Sequence, residues 1–154
     1  YKMKYIYCLF PILNKINPIL YYSTFSSDNA FYRYGSKNRK AYKKTMNYTG
    51  FVQDHHCIPK QFKNHKLLRE TNYDVNMAYN LLIMPTDKGI EKLNLHPNTR
   101  THYKGHREYN KYIQKNLDVI YKKETTDEKC YYMWLMNKYL KNNLTFNDEE
   151  IPWN

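Results

Sequence analysis

Apolar residues recur along this chain with different periods, and each period predicts a different element. In THYKGHREYNKYIQKNLDVIYKK, residues Tyr109, Ile113, Leu117 and Ile120 stand three or four apart, the spacing of one helix face. Asn98 or Thr99, in the HPNT stretch just before, is the expected cap of that helix. Thr125 followed three residues later by Glu128 forms a capping box, and CYYMWLMNKYL behind it predicts a second helix. Two shorter runs, FVQDHHCIP and NLLIMP, are compact and end in Pro59 and Pro85, so both read as strands. A polar segment separates them, with a helical turn expected around FKNHKLL. The middle of the chain thus reads strand, loop, strand, helix.

The two ends differ from this core. The opening YKMKYIYCLFPILNKINPILYYSTFSS is apolar and aromatic, with no acid before Asp28. Pro11, Lys15 and Pro18 interrupt it, and no apolar run reaches the ~20 residues that a bilayer span requires. A signal-like segment, an organellar targeting remnant and an arm that packs on a partner are the competing readings, and the arm is the expectation. FYRYGSKNRKAYKKTMNYTG interleaves Lys and Arg with Tyr and Phe, which suits phosphate contacts and base stacking but equally a solvated linker. NDEEIPWN, at the other end, reads as an acidic tail. The expected organisation is an arm over residues 1–46, a central domain over 47–122, and a C-terminal helix with its tail over 123–154.

Composition narrows the partners. At 154 residues the chain suits one domain with a real core. Its 25 Lys and Arg against 14 Asp and Glu leave a net charge of +11, which favours a polyanion: nucleic acid first, an anionic membrane surface second. Solubility alone is the plain alternative. Eighteen Tyr beside four Gly, with many Lys and Asn, also suggest a genome biased toward A and T, so part of the lysine count reflects drift. Cys8, Cys57 and Cys130 lie far apart and form no CxxC, which supports neither a disulfide framework nor a zinc ribbon. A reducing intracellular compartment is expected, with each cysteine a small buried side chain.

The candidate chemistry lies in histidines. DHHCIPKQF carries the tandem pair His55 and His56. His102 and His106 stand four apart, which on a helix puts both on one face, continuous with the apolar stripe. Such a pair offers two ring nitrogens to one ion at about 2.0–2.1 Å, and a third imidazole from the tandem pair completes a site with an open position. The other tandem histidine is then available as a general base. Successive strand side chains point to opposite faces, so a twist or bulge is needed for both to serve one substrate. Gly105, between the helix histidines, costs roughly 1 kcal/mol of helix propensity and permits close approach of a phosphate or the hairpin. His65 and His96 have no patterned partner and read as surface or capping residues.

DHHCIP, NLLIMP and HYKGHREYN, in that order, resemble the HNH/endonuclease VII superfamily of nucleases, and within it the AHH type. That pattern is a histidine pair followed by a proline, an Asn-apolar-Pro segment, and H-x-G-x-H-x-x-Y-N; colicin-type nuclease domains share the same ordered parts. The resemblance spans about residues 51 to 120. It implies an α+β fold with a ββα-metal, treble-clef-like core, in which a hairpin and one helix clamp a single divalent ion such as zinc, magnesium, manganese or nickel. Carried over by position, it implies His55, His102 and His106 as metal ligands, His56 as general base and Asn80 as the residue orienting that base. Arg100, Lys104 and Arg107 lie where they would neutralise flanking phosphates, or simply form an exposed helix face. The family alanine before the pair is Asp54 here, which admits a shifted register with Asp54 as ligand and His55 as base. The unshifted register is preferred because Pro59 keeps its distance from His56.

The implied activity is metal-dependent hydrolysis of phosphodiester bonds in DNA or RNA. The alternative is a catalytically silent nuclease-fold subunit of a large ribonucleoprotein assembly, such as a mitochondrial ribosome. High charge and the apolar arm suit the second reading; the complete ligand set favours the first. A protein partner docking on the arm and on the helix that carries Trp134 is expected in addition to nucleic acid.

Overall fold

The computed structural model describes residues 31–102, 106–146 and 151–153. The apolar N-terminal segment before Asp28 and its expected role as an arm lie outside these residues. Strands β1 (Val52–His56) and β2 (Leu81–Pro85) pair antiparallel, with His55 opposite Leu82 and His56 opposite Leu81. Both strands fall where the apolar runs predicted them. Before the hairpin comes α1 (Lys37–Thr45), between its strands α2 (Lys66–Glu70), and after it α3 (Asp87–Lys92), α4 (Arg107–Tyr121) and α5 (Thr126–Phe146). The fold is α+β, a two-stranded sheet among helices. No helix among the described residues is long and apolar enough to cross a membrane.

Local chemistry sets the ends of these elements. Ser36 and Thr86 cap α1 and α3 through their side chains, and His65 Nδ1 does the same for α2 by accepting from Leu67 N. All three helices close on an asparagine in the left-handed region: Asn47 (φ 55), Asn72 (φ 49) and Asn94 (φ 51). The next backbone N–H of each turns back into the last turn: Tyr48 to Lys43 O, Tyr73 to Leu68 O and Leu95 to Ile90 O. Asparagine tolerates this conformation better than other non-glycine residues, so a glycine-poor chain still terminates its helices cleanly. The capping box of α5 is realised as predicted: Glu128 N donates to Thr125 Oγ1 at 3.1 Å and Thr125 N to Glu128 Oε2 at 3.2 Å. Gly89 is needed for contact, since a Cβ there would lie 2.0 Å from the Phe51 carbonyl oxygen.

The core forms where α2, α4 and α5 meet the end of β1. The stripe read from sequence, Tyr109, Ile113, Leu117 and Ile120, is the buried face of α4. It packs with Cys57, Ile58, Leu67 and Leu68, and with Met133, Met136, Leu140 and Leu144 of α5. Each such aliphatic side chain contributes about 1.5–3 kcal/mol relative to its exposed state.

Some expectations need correction. The helix bearing the apolar stripe starts at Arg107, not after Asn98 or Thr99, and His106 occupies its N-cap position. His102 spends its backbone N–H on Pro85 O at 2.9 Å, so it is held by the end of β2 and the two histidines are not neighbours on one helical face. Of the expected acidic tail, residues 147–150 lie outside the described residues, while Ile151 is 2% exposed within the core and Trp153 packs against it. Of the two readings of the basic strip before Asn47, the linker is the less apt, because α1 forms there and turns Arg39 inward.

Candidate metal centre and catalytic site

β1 turns His55 inward, the end of β2 holds His102, and His106 opens α4. These three elements bring their imidazoles together, with one ring nitrogen from each lying within 4.8 Å of the others. Ring centroids are 5.4 Å apart for His55 and His102, 5.7 Å for His55 and His106, and 5.8 Å for His102 and His106. His55 and His106 are 4% and 8% exposed, and the Nε2 atom of each is buried without a hydrogen-bond partner. A buried polar atom left unpaired costs about 1–3 kcal/mol. Three imidazoles gathered in this way, two of them with an unpartnered buried nitrogen, make a donor set that fits a divalent ion. Nitrogens bound at ~2.0–2.1 Å around one ion lie roughly 3.4 Å apart, so small side-chain rotations close the set.

Electrostatics favours the neutral form of these imidazoles. Burial, helped by repulsion from His102 and His106, pushes the His55 pKa down to about 3. Burial also lowers His102, and lowers His106 together with the nearby His102. A neutral imidazole, not an imidazolium, has the lone pair a metal needs.

Strand alternation sends the flanking residues the other way. Asp54 accepts from Arg39 Nε at 2.8 Å and from Lys43 Nζ at 2.7 Å, with its side chain 8% exposed. Both carboxylate oxygens are thereby committed to α1, and the histidine cluster does not include Asp54. His55, not Asp54, is the strand residue that meets His102 and His106. Removing one partner of a buried ion pair strands the other, so Asp54→Ala is expected to lose about 3 kcal/mol of stability while metal affinity is unchanged. Thermal denaturation with a parallel metal titration checks this. A folded Asp54→Ala variant that no longer binds metal would put Asp54 among the ligands.

His56 stands on the Asp54 side. Its ring lies 4.7 Å from that of Tyr34, and its Nε2 is 3.4 Å from Asn76 Oδ1. Burial and the nearby Lys60 ammonium lower its pKa, against opposing pulls from Asn76 and Asp54. Asn80 is fully buried and does not bond to His56. Its Nδ2 donates to Ile58 O at 2.9 Å and Val75 O at 2.8 Å, and its Oδ1 accepts from Ile58 N, Tyr73 Oη and Asn137 Nδ2. The residue thus fixes the backbone just after the histidine pair, with its hydrogen-bonding capacity filled.

The cationic candidates divide. Arg100 lies beside the cluster, its guanidinium carbon 5.1 Å from the Trp153 ring. Arg107 is exposed on the first turn of α4 and lines an open groove of about 500 Å³ together with Gln61, His106 and Asn110. Lys104 lies outside the described residues. Of the unassigned histidines, His65 caps α2 and its Nε2 lies 3.0 Å from Asp118, while His96 Nδ1 accepts from Asn98 N. The sequence reading missed Asn76, Asn137 and Trp153. Only Trp153 left a usable signal, an apolar Ile-Pro-Trp group directly after the acidic run.

A hairpin and a helix start gathered around three imidazoles, with a fourth histidine on the hairpin's other side, define a small α+β domain of the histidine-centred nuclease type. A family model described as a nuclease family of the HNH/ENDO VII superfamily with conserved AHH matches residues 36–132, and the chain belongs to this family. Asp54 stands where the motif has its alanine. No curated protein and no solved structure gives a significant match.

Proposed function

We propose that this protein is a metal-dependent endonuclease that hydrolyses phosphodiester bonds in nucleic acid. The observation that carries the reading is the gathering of the His55, His102 and His106 imidazoles, with the Nε2 atoms of His55 and His106 buried and unpartnered. These three residues hold the ion, and an all-imidazole set supports a borderline ion such as Zn²⁺ or Ni²⁺ over Mg²⁺. When bound, the ion supplies Lewis-acid stabilisation of the charge that builds on the phosphoryl group and the leaving sugar oxygen.

The chain's own residues do the rest. His56, the last residue of β1, faces away from the cluster with its Nε2 3.4 Å from Asn76 Oδ1, so its role as base requires the ring to turn at the strand's end toward the substrate, where the Nδ1 lone pair takes a proton from the attacking water. Its lowered pKa keeps that lone pair free at neutral pH. Asn80 is a positioning residue, acting through the Ile58 backbone. Arg100, Lys104 and Arg107 neutralise neighbouring phosphates, and the exposed Lys37, Lys40 and Lys44 on one side of α1 extend the cationic surface.

Digestion of supercoiled plasmid and of structured RNA, each with Mg²⁺, Mn²⁺, Ni²⁺ or Zn²⁺, tests the proposal. Cleavage of at least one substrate that stops on adding chelator is expected. No cleavage of either with any of the four ions would transfer support to the silent ribonucleoprotein subunit.

A further inference from the structure

The C-terminal segment Ile151–Trp153 lies outside the residues matched by the family model, yet it meets the histidine cluster directly. The Trp153 carbonyl oxygen lies 3.1 Å from His106 Nδ1. The indole centroid is 3.9 Å from that of His106 at an interplanar angle of 34°, 5.1 Å from His55 and 5.5 Å from Tyr109. Arg100 approaches the same indole. Ile151, 2% exposed, anchors the segment in the core.

A carbonyl only accepts, so His106 must donate through Nδ1–H. A neutral imidazole carrying its proton there has its lone pair on Nε2, the atom that is buried and unpartnered. The nitrogen that this tautomer leaves with a lone pair is thus the one without a partner. An outer partner of this kind fixes ring orientation and raises ligand basicity, and its loss typically weakens metal binding about 10–100-fold. The apolar indole over two of the three rings adds a wall that excludes water from one side of the ion.

Resting on the metal-site reading above, we infer that Trp153 is a positioning residue of the metal centre: its carbonyl sets the His106 tautomer and its ring walls the His55–His106 side. The segment Ile151–Trp153 then completes a site whose ligands lie up to 98 residues earlier in the sequence.

Two measurements on the full chain test this without relying on activity. Trp134 and Trp153 are the only tryptophans, so Trp134→Phe leaves Trp153 as the sole indole. Co²⁺ is expected to quench its fluorescence and saturate at one equivalent, in step with the visible absorption of the bound ion. Cobalt bound by absorption with Trp153 emission unchanged would overturn the inference. In the second, Co²⁺ affinity is compared among wild type, Trp153→Phe and a chain ending at Pro152, which keeps Ile151. Near wild-type affinity is expected for Trp153→Phe, which retains carbonyl and ring, and about 10–100-fold weaker binding for the shortened chain. Equal affinity in all three overturns the inference and leaves the metal site standing. Should the shortened chain fail to fold by circular dichroism, the quenching result decides alone. A wild type that takes up no Co²⁺ overturns both readings.

Discussion

His56→Ala is expected to slow nucleic-acid cleavage by about 10²–10⁴-fold, the usual loss for a general base, while the metal stays bound. The separation of the two effects follows from the strand. His55 and His56 are adjacent, so alternation turns one ring to the cluster and the other to Tyr34 and Asn76. Removing the His56 imidazole takes away the proton acceptor without touching a ligand nitrogen. The Tyr34 contact and one long hydrogen bond are lost with it, so stability changes little. Single-turnover cleavage and a metal titration of the same preparation check both halves. A variant that cuts as fast as wild type would show that another group accepts the proton.

His102→Ala is expected to lose both properties. Metal affinity falls by more than the ~10–100-fold typical of outer partners, because a three-ligand site is reduced to two, and cleavage falls at least as far as in His56→Ala. His102 is half-buried and its fold-defining bond, to Pro85 O, comes from its backbone, so alanine preserves it. The variant should therefore fold, which separates loss of the ion from loss of structure. Metal analysis after dialysis, with circular dichroism on the same sample, is the check. Retained stoichiometric metal in His102→Ala would remove His102 from the ligand set.

What could be read from sequence was what the chain decides locally. The α4 stripe follows from a short-range period, the α5 start from a capping box spanning four residues, and the two strands from compact apolar runs closed by proline. The ordered motif trio pointed to the family, and its histidines include the three whose rings the fold gathers. The rest depends on contacts between distant residues. The start of α4 could not be placed because His102 gives its N–H to Pro85 O, a bond absent from any helix pattern. Asn80 was expected to hold His56, but Ile58, Val75, Tyr73 and Asn137 take up its hydrogen bonds. Asp54 looked like a ligand candidate until Arg39, fifteen residues earlier, claimed it. Trp153 sits in a segment too short to show any period.

The central claim is that one ion belongs between His55, His102 and His106. An anomalous difference map from crystals of the full chain grown with Zn²⁺, recorded at the zinc absorption edge, tests it most directly. One peak at about 2.0–2.1 Å from a ring nitrogen of each of the three histidines, with His55 and His106 binding through Nε2, is the predicted result; a fully folded chain with no peak there, or with zinc held only by other side chains, would contradict it.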